Sequence, residues 1–123
     1  MKITLVSSCG LVLEQDGSAL LIDALNKQFR CYYGLPPETF SQMLAGEPPY
    51  DALCGILCTH AHPDHYNALR TRQLQAASGA PVFVPQPQTP PKLALQVGPF
   101  CVEYHQFAHT PVPGWDAITH GVY

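Results

Sequence analysis

The stretch Leu53-Cys54-Gly55-Ile56-Leu57-Cys58-Thr59-His60-Ala61-His62-Pro63-Asp64-His65 joins two patterns that decide how the rest of the chain is read. The first is a nearly continuous apolar run over residues 52–58, the signature of a strand buried on both faces and hence of parallel pairing. The second places four potential metal ligands, His60, His62, Asp64 and His65, within six residues. In an extended segment alternate side chains share a side, so the His60 and His62 imidazoles can reach one ion. Asp64 and His65 fall where the chain turns toward its next element and can serve a second ion beside the first. Imidazole with carboxylate suits zinc, and the lack of a cysteine inside the cluster argues for an open, catalytic site over a closed structural one.

A chain of this composition produces H-x-H-x-D-H by chance roughly once in two thousand sequences. The competing explanation is a surface loop that happens to be rich in histidine. The position of the cluster speaks against it, because the end of a buried parallel strand is where α/β folds bind their ligands.

On the N-terminal side, residues 3–6, 11–14 and 19–23 read as three short strands, with Ser-Ser-Cys-Gly and Asp16-Gly17 as the turns between them. Periodicity is lost over residues 26–35. Pro36-Pro37-Glu38 then opens a short helix to about Leu44, which Gly46-Glu47-Pro48-Pro49 ends. On the C-terminal side, residues 66–77 carry good helix formers and Gly79 stands where a helix is capped. Residues 81–85 form the next strand, the proline-rich residues 85–91 an extended connection, and residues 93–97 with 100–108 a hairpin around Gly98-Pro99. The fold class expected is α/β in the broad sense: an α+β mixed sheet with helices packed on it.

A length of 123 residues fits a single domain, 1–123, with a modest core. The net charge of −3, with six Lys and Arg in no run or stripe, excludes a partner held by phosphate neutralisation, so no nucleic acid is expected. No apolar stretch reaches the roughly 20 residues that span a bilayer, and Met1-Lys2 leads into a strand instead of a signal sequence. A cytoplasmic location is expected, with no membrane partner. The five cysteines, Cys9, Cys31, Cys54, Cys58 and Cys101, form no CxxC pair and read as reduced thiols, mostly small buried hydrophobes. Cys58, two residues before His60, draws the most interest.

An apolar strand followed by H-x-H-x-D-H resembles the metallo-β-lactamase-fold hydrolases. Leu20-Leu21-Ile22-Asp23 is similar to that family's first motif, whose aspartate supports the metal site through a histidine ligand. The resemblance implies that this chain is the N-terminal half of an αββα sandwich. It implies a first ion held by His60, His62 and a third histidine, matched in position by His109, with His105 and His120 as competitors. Asp64 and His65 would hold a second ion, and Asp23 would fix the tautomer of a histidine ligand. The family's flavodiiron branch has Glu where this chain has His62, so zinc, one ion or two, is the cofactor implied. The Gly-Asp segment that bridges the two metals and the final histidine have no counterpart before Tyr123, and Asp116 is a weak substitute.

The activity implied is hydrolysis of an ester, thioester, lactone or phosphodiester bond in a small-molecule substrate by zinc-activated water, with Asp64, where it holds no second ion, as the catalytic general base and Tyr66 beside the cluster. The alternative is a catalytically incomplete metal-binding half-domain that needs a partner chain. An isolated half also leaves a sheet face open, with Ile3, Leu5, Leu20, Ile22 and Ile56 on it, and a homodimer is expected to cover it. The ligand assignment makes a direct forecast. His62→Ala should weaken zinc binding by more than about 100-fold, beyond what loss of an outer partner costs, whereas His105→Ala should leave it unchanged. Elemental analysis after dialysis reads the difference, and equal loss in both variants would mean the 100–108 strand is read in the wrong register.

Overall fold

The computed structural model describes residues 1–108 and, for the backbone, 121–122. Three antiparallel strands open the chain: β1 (Lys2–Leu5), β2 (Leu11–Gln15) and β3 (Ser18–Ile22). The β2–β3 turn is made by Asp16 and Gly17, both at positive φ (51° and 74°), which suits a tight hairpin turn. Helix α1 (Pro37–Ala45) and a single 3-10 turn (Tyr50–Ala52) lead to β4 (Leu53–Leu57), which pairs parallel to β3. Helix α2 (Ala68–Ser78) then leads to β5 (Val82–Phe83), parallel to β4. The result is a five-stranded mixed sheet in the order β1-β2-β3-β4-β5. Among the described residues, two α-helices accompany it, so the protein is mixed α+β, and no helix is long and apolar enough to cross a membrane.

Local chemistry sets the helix ends. Proline opens α1 at a position where a backbone donor has no intrahelical partner, and Gly46 closes it in the left-handed conformation. The sequence places the start of the second helix at Tyr66, two residues early. Asn67 is the reason: its side chain accepts from the Arg70 backbone at 3.0 Å and caps the helix, so the first helical residue is Ala68. Gly79 caps the other end, as its position in the sequence suggests.

The sheet has two apolar faces. Val12, Ala19, Leu21 and Ile56 bury one of them against Met43 of α1 and Leu74 of α2. Strand register puts Ile3, Leu13 and Leu20 in one row of the opposite face, and Leu5, Leu11, Ile22, Leu57 and Phe83 in the next. A hairpin of β6 (Lys92–Val97) and β7 (Phe100–His105) covers that face with Val97, Phe100 and Tyr104. The Phe83 and Tyr104 rings meet at 4.6 Å, within the range of favourable aromatic pairs. The backbone of β4 allows the close fit: a Cβ at Gly55 would stand 2.5 Å from Val97 Cγ1 and 2.9 Å from Leu20 Cδ1.

This arrangement corrects the reading of a single uncovered inner face. Ile56 belongs to the helix side, paired with Leu21. Leu20 and Ile22 lie under the chain's own hairpin, Leu20 fully buried. Among the described residues of these rows, the rim on β1 stays open, with Ile3 60% and Leu5 68% exposed. The hairpin also ends sooner than the sequence suggests. Gln106 turns back to bond Pro91, and Phe107–Ala108 (β8) pairs separately with Gly121–Val122 (β9). The coverage has an energetic signature. Leu20→Ala should cost about 2–5 kcal/mol of stability in urea titration, and Leu5→Ala within about 0.5 kcal/mol. Similar costs for the two would mean that the hairpin does not seal the face.

Candidate metal centre

Strands β3 and β4 run parallel and end side by side, which brings Asp23 and Thr59 together at one edge of the sheet. Asp23 leaves β3 with φ 51°, a left-handed conformation that aspartate tolerates better than most residues, while its backbone N–H still bonds Leu57 at 3.0 Å. Its carboxylate is buried and well occupied. Oδ1 accepts from the Thr59 backbone at 2.8 Å, and Oδ2 accepts from the Thr59 hydroxyl at 2.7 Å and from His65 Nδ1 at 2.9 Å.

These bonds set two imidazoles at once. With Asp23 on Nδ1, His65 offers Nε2 outward, the orientation that carboxylate partners impose on metal-binding histidines. The Thr59 hydroxyl has a single proton, and it goes to the Asp23 carboxylate. The 3.0 Å contact between Thr59 Oγ1 and His60 Nδ1 must then run from the histidine, which puts a proton of His60 on Nδ1. Asp23 therefore fixes His65 directly and His60 through Thr59. The sequence points to a supporting role for Asp23 but gives no sign of the threonine link.

The motif folds into a tight bend, with both His65 N (2.9 Å) and Tyr66 N (2.7 Å) bonded to His62 O. The His60 ring centroid stands 4.6 Å from that of His62 and 4.1 Å from that of His65. His65 Nε2 and Asp64 Oδ2 are 3.5 Å apart, close to the spacing of two ligands on a tetrahedral ion whose bonds are about 2.0–2.2 Å. Tyr66 lies just before α2 and not in it. His109, the expected third ligand of the first ion, lies outside the described residues, as do Asp116 and His120. His105 sits exposed at the end of β7, its Nε2 3.0 Å from Glu103 Oε2.

Two cysteines exchange the roles that sequence position suggests. Cys58 is buried and turned inward, its thiol donating to His60 O at 2.8 Å, and burial foremost, with the Asp23 charge, pushes its pKa far up. It is a structural thiol. Cys9, from the β1–β2 turn, is instead the residue that joins Asp64 and His65: one ligand atom from each of the three lies within 4.8 Å of the others. This Cys/Asp/His group could bind a metal ion. Only the sheet order, which sets the β1–β2 turn at the same end as the segment after β4, reveals it, because Cys9 is 55 residues from Asp64 in sequence. Comparison with protein-family models, with curated proteins and with solved structures finds no match.

The Asp23–His65 pair links the site to stability. Burial opposes ionisation of Asp23, but the hydrogen bonds from His65 and Thr59 outweigh it and hold the carboxyl below its usual range. Burial likewise opposes protonation of His65, and the bond to Asp23 with the charges of Asp23 and Asp64 overcomes it and raises the pKa. A lowered carboxylate contributes stability that is lost as pH falls through its folded pKa. A raised histidine contributes stability that is lost as pH rises through its own. For the metal-free protein both terms are present between about pH 4 and about pH 6.5. Urea titrations at about pH 6 and about pH 9 should therefore show a loss in the wild type that His65→Gln lacks. Identical losses in the two would break the link.

Proposed function

We propose that this chain is a metal-dependent hydrolase of the metallo-β-lactamase type, corresponding to the N-terminal half of that αββα fold, with zinc as its ion. One observation carries the reading: a buried aspartate at the ends of two parallel strands orients His65, whose outward Nε2 lies 3.5 Å from Asp64 Oδ2. The donor set fits the ion, since imidazole and carboxylate are both common zinc ligands. His60 and His62, with His109, would hold one ion. Asp64 and His65 would hold a second. A zinc ion there would supply a water of lowered pKa and polarise the bond to be cleaved.

The protein's own groups account for the remaining work. Asp23 bonds His65 directly and reaches His60 through Thr59, so little side-chain freedom would be lost when a ligand arrives. Without a second ion, Asp64 would instead take the proton from an attacking water as general base. The substrate class is an ester, thioester, lactone or phosphodiester, each of which presents an electrophilic centre to such a water.

The test is a zinc-loaded preparation assayed on activated aryl esters, a lactone, a thioester and an aryl phosphodiester. Turnover of at least one class should vanish with a chelator and return with zinc. Asp64→Asn should lower kcat by about 10²- to 10⁴-fold, through loss of a ligand to the second ion or, without that ion, of the general base. Zinc bound without turnover on any class would replace hydrolysis by the second reading, a metal-binding half-domain completed by a partner chain.

A further inference from the structure

We propose that Cys9 is a ligand of the ion held by Asp64 and His65, which makes this a Cys/Asp/His site for a thiophilic divalent cation. The proposal rests on the metal-site reading above and extends it to a residue that the motif does not contain. Its basis is position. The sulfur, an Asp64 oxygen and a His65 nitrogen lie within 4.8 Å of one another, and the His65–Asp64 edge of that triangle is 3.5 Å. Ligands on a tetrahedral zinc with bonds of about 2.0–2.3 Å stand about 3.5 Å apart. A side-chain adjustment on the order of 1 Å therefore closes the triangle around an ion.

The turn that carries Cys9 is held against the site. Val6 N bonds Gly10 O at 2.8 Å, and Gly10 N bonds the buried Ser7 Oγ at 2.9 Å. Gly10 approaches the end of β3 so closely that a Cβ there would meet Ala24 Cα at 2.7 Å and Asp23 O at 3.1 Å. On the other side, Ser8 exchanges two hydrogen bonds with Tyr33, N to O at 3.0 Å and Oγ from N at 2.6 Å. The residues on both sides of Cys9 are thus fixed, one to β3 and one to the 26–35 loop. Arg70 extends the brace by donating from α2 to Asn26 O and Leu35 O of that loop at 2.8 and 3.1 Å.

The other cysteines have different surroundings. Cys54 and Cys58 donate to backbone carbonyls, and Cys31 and Cys101 are exposed. Cys9 is half-buried and faces carboxylates, Asp64 and Asp23, whose charges act on it. An apolar filler has no reason to stand there, whereas a cation between thiolate and carboxylate satisfies both. Three protein ligands leave a fourth position open, as catalytic zinc sites do. The sulfur also sets the preference, favouring zinc, cobalt or cadmium over magnesium, calcium or manganese.

Cobalt(II) added to the reduced, metal-free protein reads the ligands directly. The expected spectrum has visible ligand-field bands together with a near-ultraviolet sulfur-to-cobalt charge-transfer band. Cys9→Ser should abolish the charge-transfer band and weaken zinc binding at least about tenfold, while Cys31→Ser and Cys101→Ser keep the band. Visible bands without the charge-transfer band, or a band that survives in Cys9→Ser, would overturn Cys9 as a ligand and leave the histidine site standing. No cobalt bound at all would overturn both. Should Cys9→Ser fail to fold, the wild type answers by alkylation and peptide mapping. Zinc should slow iodoacetamide modification of Cys9 and not of Cys31 or Cys101, and an unchanged rate at Cys9 would overturn the proposal.

Discussion

A buried carboxylate with several hydrogen bonds, Asp23, is the constraint on which the rest of this structure depends. A charge taken out of water is costly unless donors surround it. Asp23 finds them in the Thr59 backbone, the Thr59 hydroxyl and His65 Nδ1. Those donors come from the segment directly after β4, so the carboxylate ties the end of β3 to the end of β4 and fixes the bend that follows. Removing it would take a hydrogen-bond anchor from His65, unsettle the Thr59 contact with His60, and break a connection between neighbouring strands. Stability and the proposed chemistry therefore share one group.

The sheet supplies the frame for that group. Its parallel pair is buried on both sides, by α1 and α2 over Leu21 and Ile56 and by the β6–β7 hairpin over Leu20 and Leu57. With both faces sealed, polar chemistry is confined to the strand ends, where backbone donors are free of the ladder. The β1–β2 turn reaches the same edge because β2 lies beside β3, and Gly10 lets it come into contact. Strand order thus decides which loops meet, and it brings Cys9 to Asp64 and His65.

Cys58 and Cys9 illustrate how position in sequence and position in space diverge. Cys58 is adjacent to the motif, yet strand alternation and the turn at His60 send its thiol into the core, where it bonds a carbonyl. Cys9 lies far from the motif in an unremarkable Ser-Ser-Cys-Gly turn, and only the order of strands in the sheet delivers it to the site. The apolar rows diverge in the same way: register sends Ile56 to the helix side of the sheet and Leu20 and Ile22 to the side that the hairpin covers.

The sequence by itself determined the local elements: the three opening strands, a buried parallel strand, two helices with their glycine caps, the hairpin, and the ligand-rich bend at residues 60–65. These follow from period, turn residues and cap residues, which act over a few positions. It also marked Asp23, through the resemblance of Leu20-Leu21-Ile22-Asp23 to the first motif of the metallo-β-lactamase-fold hydrolases. Tertiary structure alone decided which face each apolar row covers, that Thr59 relays Asp23 to His60, and that Cys9 joins Asp64 and His65. Each depends on contacts between segments distant in the chain or on hydrogen-bond directions, and neither leaves a periodic trace in sequence.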